Sequence, residues 1–483
     1  MKRTVWCIFI LFIFVRVYFA LYFPIFNDES TYMRWGQGFL HSPDRWWAFM
    51  LDGKQPGVAI LYGASQLLPF DPLISMRFVS IVFSVISFLC FTLLSKRIFK
   101  NNCAEFFLLL LAFCPYLIFF DSLALPEAII TACFAMIFLV LHSFLQEPRV
   151  WKGIFIGGIV GFGWWFKSSI LLSIPLIFLS LALYFPNIRT NINSIILGSA
   201  LGIVLGFIII FPVLFNPNVA YESTQVIQRT RDFSEIIATS FATWGLRLWQ
   251  ISSWIWGFAG PLISVGFLLS FFIIRVHRMR LLLLFWFIGP IVLEVILLKS
   301  MTGRLLAMTI PFFLLFVSQI LDVKHGKLFG LVLGFTNVFL GLLLVFSPLA
   351  FNKYVSFVSK ESYSDFGQYI SGWTSGWGVK EAISYLKDTA KKSPIVVFVR
   401  LDGGNPEDAV LSYMRRYDIP VFYTTQYDKV KNQIDPHSVD MYFVSRGKQY
   451  DALEGSLIPK KVYSKPLGDE FVGVYEIFTD SEK

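Results

Sequence analysis

Residues 193–213 read NSIILGSALGIVLGFIIIFPV, an apolar stretch without a charged side chain and long enough to cross a lipid bilayer as an α-helix. Apolar runs of similar length recur along the 483-residue chain, which is 56% hydrophobic, 15% charged and has a mean hydropathy of +0.64. Soluble domains carry about a quarter charged residues, so the composition excludes an ordinary soluble protein. Because the runs are continuous rather than alternating, we predict a polytopic α-helical membrane protein and not a β-barrel.

The apolar runs predict about eleven membrane helices, with the N-terminus in the cytoplasm. Compact Lys/Arg clusters fall on the predicted cytoplasmic side, as the positive-inside rule requires, and they account for the net charge of +9 without a nucleic-acid partner. The predicted spans are 1–23, 73–94, 105–120, 128–145, a hairpin over 153–185 broken at 165–167, 193–213, 252–274, 281–298, 305–321 and 328–349.

The composition divides the chain into a transmembrane domain, 1–350, with a first extracytoplasmic loop at 24–72, and a small α/β domain, 351–483. In the second domain we predict a helix near 379–391 and strands at 394–399, 419–423, 440–445 and 470–478. This topology places the second domain outside the cytoplasm. The five cysteines show no CxxC spacing, which excludes a zinc site or a disulfide framework.

Ionisable residues gather at the predicted outer ends of the membrane helices. A charged side chain at the edge of a membrane costs free energy, so its presence there suggests a function. A carboxylate can deprotonate an acceptor hydroxyl, and Lys and Arg can stabilise a departing phosphate. This combination suits group transfer from a phosphate-activated donor. The residues concerned are Asp28, Glu29, Asp52, Lys54, Asp121, Glu127, Lys167, Lys299 and Arg304.

Five short motifs, in this order and on one predicted side of the membrane, resemble those of a known family. They are Asn27-Asp28-Glu29-Ser30-Thr31-Tyr32, Gly53-Lys54-Gln55-Pro56-Gly57, Leu123-Ala124-Leu125-Pro126-Glu127-Ala128, Gly163-Trp164-Trp165-Phe166-Lys167, and Gly303-Arg304-Leu305-Leu306 with Pro311. The set resembles the motifs of protein O-mannosyltransferases and lipid A aminoarabinose transferases, which are glycosyltransferases of the GT-C superfamily. The resemblance covers about residues 1–350.

The resemblance implies a GT-C fold and inverting transfer of a monosaccharide from a polyprenyl-phosphate donor to a protein, glycan or envelope-lipid acceptor. It further implies an integral plasma (inner) membrane enzyme whose reaction occurs on the extracytoplasmic face. Asp28 would then be the general base. The implied partners of the donor phosphate are Lys54, Lys167 and Arg304, while Glu29 and Glu127 would orient the acceptor or assist a divalent metal ion.

The chain departs from the family pattern at three places. Gly53 stands where some relatives have a metal-binding Glu, and Asp52 lies one residue earlier. A proline of the Lys-Pro-Pro element is replaced by Gln55 or Gly57, and Leu305 replaces a tyrosine. Asp52 and Glu127 are the candidate metal ligands, and the use of a metal ion stays open at this point.

Each candidate also has a structural alternative. Asp28 could be a helix N-cap, Glu127 could favour a helix dipole, and Lys167 could reach the membrane surface. Asp52 and Asp121 are expected to be solvated loop residues. Two other functional classes remain: a transporter or flippase of lipid-linked sugars, and a membrane anchor that presents the C-terminal domain.

Overall fold

The computed structural model describes residues 3–42, 50, 53–99, 101–273, 277–322, 326–434, 438–449, 453 and 457–478. By packing, the chain forms two compact units: 1–21, 44–60 and 77–365 make the first, and 22–43, 61–76 and 366–483 make the second. Parts of the predicted first loop therefore pack with the C-terminal residues. The predicted functional division at residue 350 stays a prediction.

Helices long and apolar enough to span a membrane dominate the described residues. Seven qualify singly, two further pairs of bent helices qualify as broken spans, and two shorter apolar helices accompany them. The single spans are Arg3–Tyr22 (α1), Pro72–Ile98 (α4), Pro126–Gln146 (α7), Ser168–Pro186, which includes most of α9 (Ser173–Ile188), Ile192–Leu214 (α10), Arg278–Leu297 (α15) and Gly326–Phe346 (α17). The bent pairs are Asn101–Phe113 (α5) with Pro115–Ser122 (α6) and Phe241–Ala259 (α13) with Pro261–Ile273 (α14), and the short helices are Val150–Trp164 (α8) and Ile310–Ser318 (α16).

Each predicted membrane segment corresponds to one of these helices or pairs, and the predicted break at 165–167 is confirmed between α8 and α9. The sequence did not predict the sharp bend of 116° between α13 and α14. It occurs at Gly260, whose φ of 99° favours glycine, followed by Pro261, which cannot donate a helical hydrogen bond. The span predicted over 252–274 therefore corresponds to a bent pair of helices, whose bend the prediction did not include.

A stripe of glycines joins α8 to α10. Gly153, Gly157 and Gly161 face Gly198, Gly202 and Gly206, so that the two backbones lie in direct contact. A Cβ atom added at Gly157 would lie 2.0 Å from the carbonyl oxygen of Gly202. Small residues spaced four apart are the usual basis of such close contacts between membrane helices.

A buried ion pair links α1 to α6. Both Nε and Nη2 of Arg16 donate to Asp121 Oδ2, at 2.9 and 2.8 Å, and Nη1 donates to the carbonyl oxygen of Ala112. Arg16 is completely buried and Asp121 is 5% exposed. The expectation that Asp121 is a solvated loop residue is therefore wrong, because it neutralises an arginine inside the helical bundle.

The second unit contains a five-stranded mixed sheet in the order β2-β1-β3-β5-β4. β1 pairs in parallel with β2 and β3, whereas β5 is antiparallel to β3 and β4. The strands are Ile395–Val399 (β1), Val421–Tyr423 (β2), Asp440–Arg446 (β3), Leu457–Ser464 (β4) and Phe471–Ile477 (β5). The four predicted strands are present. β4 was missed because it is a mostly exposed edge strand with two lysines, and it lacks a continuous apolar run.

The remaining helices are shorter. They are Asn27–His41 (α2), Pro56–Ser65 (α3), Val219–Arg229 (α11), Phe233–Ala238 (α12), Pro348–Val358 (α18), Lys360–Ile370 (α19), Val379–Ala390 (α20), Glu407–Arg416 (α21) and Tyr427–Lys431 (α22). The helix predicted near 379–391 is confirmed as α20.

Within the second unit, α2 packs against α21. Asp408, at the start of α21, accepts hydrogen bonds from Thr31 Oγ1 at 2.9 Å and from the backbone N–H of Gly404 at 2.8 Å, and it pairs with Arg34 Nε at 3.0 Å. Asn27 Oδ1 accepts from the backbone N–H of Asn405 at 2.9 Å. These polar contacts attach the loop helix α2 firmly to the C-terminal part of the chain.

Candidate active site

A buried carboxylate with two cations forms the centre of the candidate site in the first unit. Glu127 lies in the first turn of α7, and its side chain is only 3% exposed. Lys167 Nζ donates to Glu127 Oε1 at 2.8 Å, and Arg304 Nε lies 3.7 Å from the same oxygen. The structure thus brings together three of the predicted site residues. Two cations therefore share one carboxylate oxygen.

The break between α8 and α9 positions Lys167. α8 ends at Trp164, and Lys167 has extended backbone angles before a 3₁₀ turn, Ser168–Leu172. The backbone N–H of Gly57 donates to the carbonyl oxygen of Trp165 at 2.8 Å, which attaches the segment that contains Lys54 to this break. A proline at position 57 could not make this hydrogen bond, which explains one departure from the family motif.

A second 3₁₀ turn, Gly303–Leu306, positions Arg304. The Tyr116 hydroxyl donates to the carbonyl oxygen of Gly303, and the Gly303 N–H donates to Asp365 Oδ1 at 3.2 Å. Burial raises the pKa of Asp365 to about 6, although the nearby Arg304 acts in the opposite direction. A Cβ atom at position 303 would lie 2.6 Å from Asp365 Oδ2, so glycine fits this turn closely.

A very small cleft of about 10 Å³ lies at the cluster. Its lining includes Glu127, Lys167, Ser169 and Arg304, with apolar neighbours such as Met308. Within the part of the chain that the structure describes, Glu127 Oε2 is buried without a hydrogen-bond partner. The cleft therefore offers an acceptor oxygen beside two cations, an arrangement that can bind an anion and a hydroxyl group together.

A long apolar groove runs between α8, α9 and α10 on the same unit. It encloses about 260 Å³, and its lining includes the glycine stripe of α8 and α10. Gly161 and Leu171, which stand before and after Lys167 in sequence, also line it. The groove is therefore formed in part by the two chain segments that the break at Lys167 connects.

Asp28 and Glu29 lie on α2 in the second unit. The N-cap of α2 is Phe26, so the alternative that Asp28 is an N-cap is wrong; Asp28 stands one position inside the first helical turn. Glu29 is completely buried, and its Oε2 accepts a hydrogen bond from the Phe26 N–H at 2.8 Å. Glu29 therefore stabilises the start of α2. Its predicted role in acceptor binding stays a prediction, as does the role of Asp28 as base.

The sequence analysis missed Glu294, Asp365 and Tyr116. Glu294 on α15 is 2% exposed, and neither carboxylate oxygen has a hydrogen-bond partner among the described residues. Lys167 is the cation whose charge acts on it. A lone Glu within the apolar run 281–298 was a detectable signal, because such residues in membrane helices are usually functional. No comparable signal marks Asp365, which follows the last predicted span.

The predicted metal ion fits poorly with the described residues. Among them, no three His, Cys, Asp or Glu side chains come together in a way that could hold a metal ion. Glu127 Oε1 is already engaged by two cations, and Asp52 lies outside the described residues. A metal stays a prediction, and no step below is derived through one.

The apolar helices, the broken hairpin and the small mixed sheet define the class of fold: a multi-pass helical membrane protein whose fold is similar to that of the GT-C glycosyltransferases. Residues 54–215 match the family model described as dolichyl-phosphate-mannose-protein mannosyltransferase. The chain is thus similar to the protein mannosyltransferases and to ArnT, and the resemblance predicted from the sequence motifs is confirmed.

Three solved structures illustrate the likeness in fold. ArnT from Cupriavidus metallidurans in the apo state is 15% identical with a TM-score of 0.56, and ArnT bound to undecaprenyl phosphate is 14% identical with a TM-score of 0.57. Each comparison covers 98% of both chains. An oligosaccharyltransferase from Archaeoglobus fulgidus, tethered to an acceptor peptide, is 12% identical with a TM-score of 0.51, over 93% of this chain and 70% of that one. No curated protein sequence matches the chain.

Proposed function

We propose that the protein transfers a monosaccharide from a polyprenyl-phosphate donor to a hydroxyl or amine of a protein, glycan or envelope-lipid acceptor. The reaction takes place on the extracytoplasmic face of the plasma (inner) membrane and inverts the anomeric centre. The N-terminus lies in the cytoplasm and the C-terminal domain lies outside it.

The observation that carries this proposal is the position of Lys167. Its ammonium group shares Glu127 with Arg304, and Gly161 and Leu171, on either side of it in sequence, line the apolar groove. A polyprenyl phosphate has the matching chemistry, an apolar chain that ends in an anion. The fold similarity to ArnT bound to undecaprenyl phosphate supports the same donor class.

In the proposed reaction, the acceptor oxygen or nitrogen attacks the anomeric carbon while the bond from that carbon to the phosphate oxygen breaks. The electron pair of the broken bond stays on the phosphate. Lys167 and Arg304, together with Lys54, stabilise the growing negative charge on the phosphate. Asp28 accepts the proton that the acceptor loses. Glu127 holds the two cations in place and leaves Oε2 to accept a hydrogen bond from a substrate hydroxyl.

The test is a transfer assay in membranes with a panel of radiolabelled polyprenyl-phosphate sugars. We expect Lys167→Met and Arg304→Met each to lower the rate by about 100-fold or more, because each removes a donor to the leaving phosphate. Lys299→Met is the matched control. Lys299 forms an exposed ion pair with Glu235 at 2.8 Å, and its replacement is expected to leave the rate unchanged.

Asp28→Asn, assayed in parallel, tests the base and should abolish transfer while donor binding persists. Wild-type rates in both Lys167→Met and Arg304→Met would contradict the proposed phosphate site. If no donor is consumed but labelled donor crosses the membrane of sealed vesicles, the protein is a transporter and the proposal is wrong.

A further inference from the structure

Trp373 is a large aromatic side chain on the surface of the second unit. It belongs to the segment Gly372-Trp373-Thr374-Ser375-Gly376-Trp377-Gly378, which connects α19 to α20. The side chain is 48% exposed, whereas most of the other described aromatic residues in this unit are buried or partly buried. An exposed tryptophan is ordinary if it is loosely held, so its supports are informative.

The indole ring rests against a fixed guanidinium group. Arg446 Cζ lies 4.6 Å from the centre of the Trp373 ring. Arg446 Nε donates to the carbonyl oxygen of Asn405 at 2.9 Å, and Nη2 donates to that of Gly403 at 3.0 Å and to Glu407 Oε2 at 2.6 Å. Because these bonds fix the guanidinium plane, the stacked ring is fixed as well.

The backbone of the same residue is held by a second buried cation. Lys465 Nζ donates to the carbonyl oxygens of Gly372 at 2.9 Å and Trp373 at 3.3 Å. Lys465 is 5% exposed, and burial lowers its pKa to about 8. Arg446 therefore contacts the ring of Trp373, and Lys465 binds its backbone carbonyl oxygen. Two contacts of this kind fix the position of an exposed side chain, which is unusual for a surface loop residue without a binding role.

Glu407 adds a polar group next to Arg446. It is 1% exposed, its Oε2 pairs with Arg446, and its Oε1 has no hydrogen-bond partner in the described part of the chain. A buried acceptor without a partner is costly unless a ligand or water supplies a donor. The region thus combines an exposed apolar ring, a fixed cation and an acceptor with unused capacity.

We propose that Trp373, Arg446 and Glu407 form a carbohydrate-binding subsite, which holds a sugar ring of the acceptor glycan. The indole face packs on the C–H groups of the sugar ring, and the sugar hydroxyls bond to the charged groups beside it. The buried acceptor oxygen of Glu407 favours a ligand that donates hydroxyl hydrogen bonds, as a sugar does and a lipid acyl chain does not. This inference deepens the proposed function, since it names the acceptor as a glycan.

The test uses the full-length protein in nanodiscs and an array of immobilised oligosaccharides, with no donor present. We expect the wild-type protein to bind a subset of glycans, Trp373→Ala to weaken that binding at least tenfold, and Trp373→Phe to recover part of it. Trp249→Ala is the matched control, since Trp249 is 65% exposed and belongs to the other unit. Its binding should equal that of the wild type.

Because the glycan-binding assay contains no donor, its result does not depend on the proposed transfer reaction. Lys167→Met should keep glycan binding and lose transfer, so failure of one assay does not imply failure of the other. Absence of glycan binding by the wild type, or equal binding by Trp373→Ala, would overturn the subsite. Quenching of tryptophan fluorescence by brominated lipids provides a second measurement. If the Trp373→Phe variant loses part of the fluorescence that these lipids quench, the Trp373 ring lies in the membrane. That result would also overturn the proposed subsite.

Discussion

Asp365 shows how a single residue can connect a loop to the candidate site. Its carboxylate accepts a hydrogen bond from the Gly303 N–H, next to Arg304, and burial raises its pKa from the ordinary value of 3.8 to about 6. The folded protein therefore keeps a proton on Asp365 at pH values where the unfolded chain has lost it. At neutral pH the buried carboxylate of Asp365 is charged, and this charge lowers the free energy of unfolding of the protein.

We expect Asp365→Asn to change the pH dependence of stability. Below about pH 4 both folded and unfolded states hold the proton, and between pH 4 and 6 only the folded state does. The wild type should therefore lose up to about 3 kcal/mol relative to the variant as the pH rises from 4 to 6, and nothing more above that. Thermal unfolding in detergent at a series of pH values measures the difference. A constant difference across this range would contradict the raised pKa.

The site residues divide into those that short motifs reveal and those that only the fold reveals. Glu127, Lys167 and Arg304 were predicted because each stands at the end of an apolar run, where charge is unusual. Gly303 is held by Tyr116 and Asp365, which come from distant parts of the chain. Such contacts leave no local pattern, and the sequence could not predict them.

At the scale of elements, the contact between α8 and α10 shapes the groove proposed for the donor chain. The glycines let the two helices approach until their backbones touch, and this contact forms the groove floor. Side chains from α9, such as Phe178, form part of the groove wall. The depth of the groove depends on the absence of Cβ atoms along this stripe.

Two glycines adjacent in sequence provide a matched test of this contact. At Gly157 a Cβ atom would lie 2.0 Å from the carbonyl oxygen of Gly202, whereas at Gly158 it would meet only the flexible end of Leu205, at 3.2 Å. Gly157→Ala should destabilise the protein by about 1–3 kcal/mol and lower donor affinity, because the helices must separate. Gly158→Ala should be neutral or slightly stabilising. Equal melting temperatures for the two variants would refute the close contact.

The helices were largely predictable because each is a run of apolar residues of membrane length. The bend at Gly260-Pro261 was overlooked, although both residues are known to interrupt helices. β4 could not be predicted, since an exposed edge strand carries no periodic apolar signal. Strand pairing in the second unit, parallel on one side of β3 and antiparallel on the other, depends on connections that local patterns do not encode.

At the scale of the whole chain, the segment that carries Asp28 packs with the C-terminal residues. The Thr31 hydroxyl donates a hydrogen bond to Asp408, although 377 positions separate the two residues in sequence. The sequence placed this segment in the transmembrane domain, because composition alone divided the chain at residue 350. Long-range polar contacts of this kind appear only once the chain has folded.

Asp408→Ala should weaken the packing of α2 against α21 and lower the stability of both helices. The substitution removes the acceptor for Thr31, Arg34 and the Gly404 N–H, which should cost about 2 kcal/mol in the second unit. Hydrogen exchange should become faster in α2 and α21 together. Asp428→Ala, at an exposed position on α22, is the control and should leave both helices unchanged. Faster exchange in α21 alone would show that α2 is held by other means.

The pairing of Arg16 with Asp121 also constrains how the protein is made. An arginine within a membrane helix costs about 2.5–3.5 kcal/mol, and α1 precedes α6 in the chain. The carboxylate partner of Arg16 follows 105 residues later, a delay of roughly 5–20 s at ordinary translation rates. During that interval the arginine lacks the carboxylate that neutralises it in the folded protein. The synthesis of α6 therefore removes a charge cost that α1 carries until then.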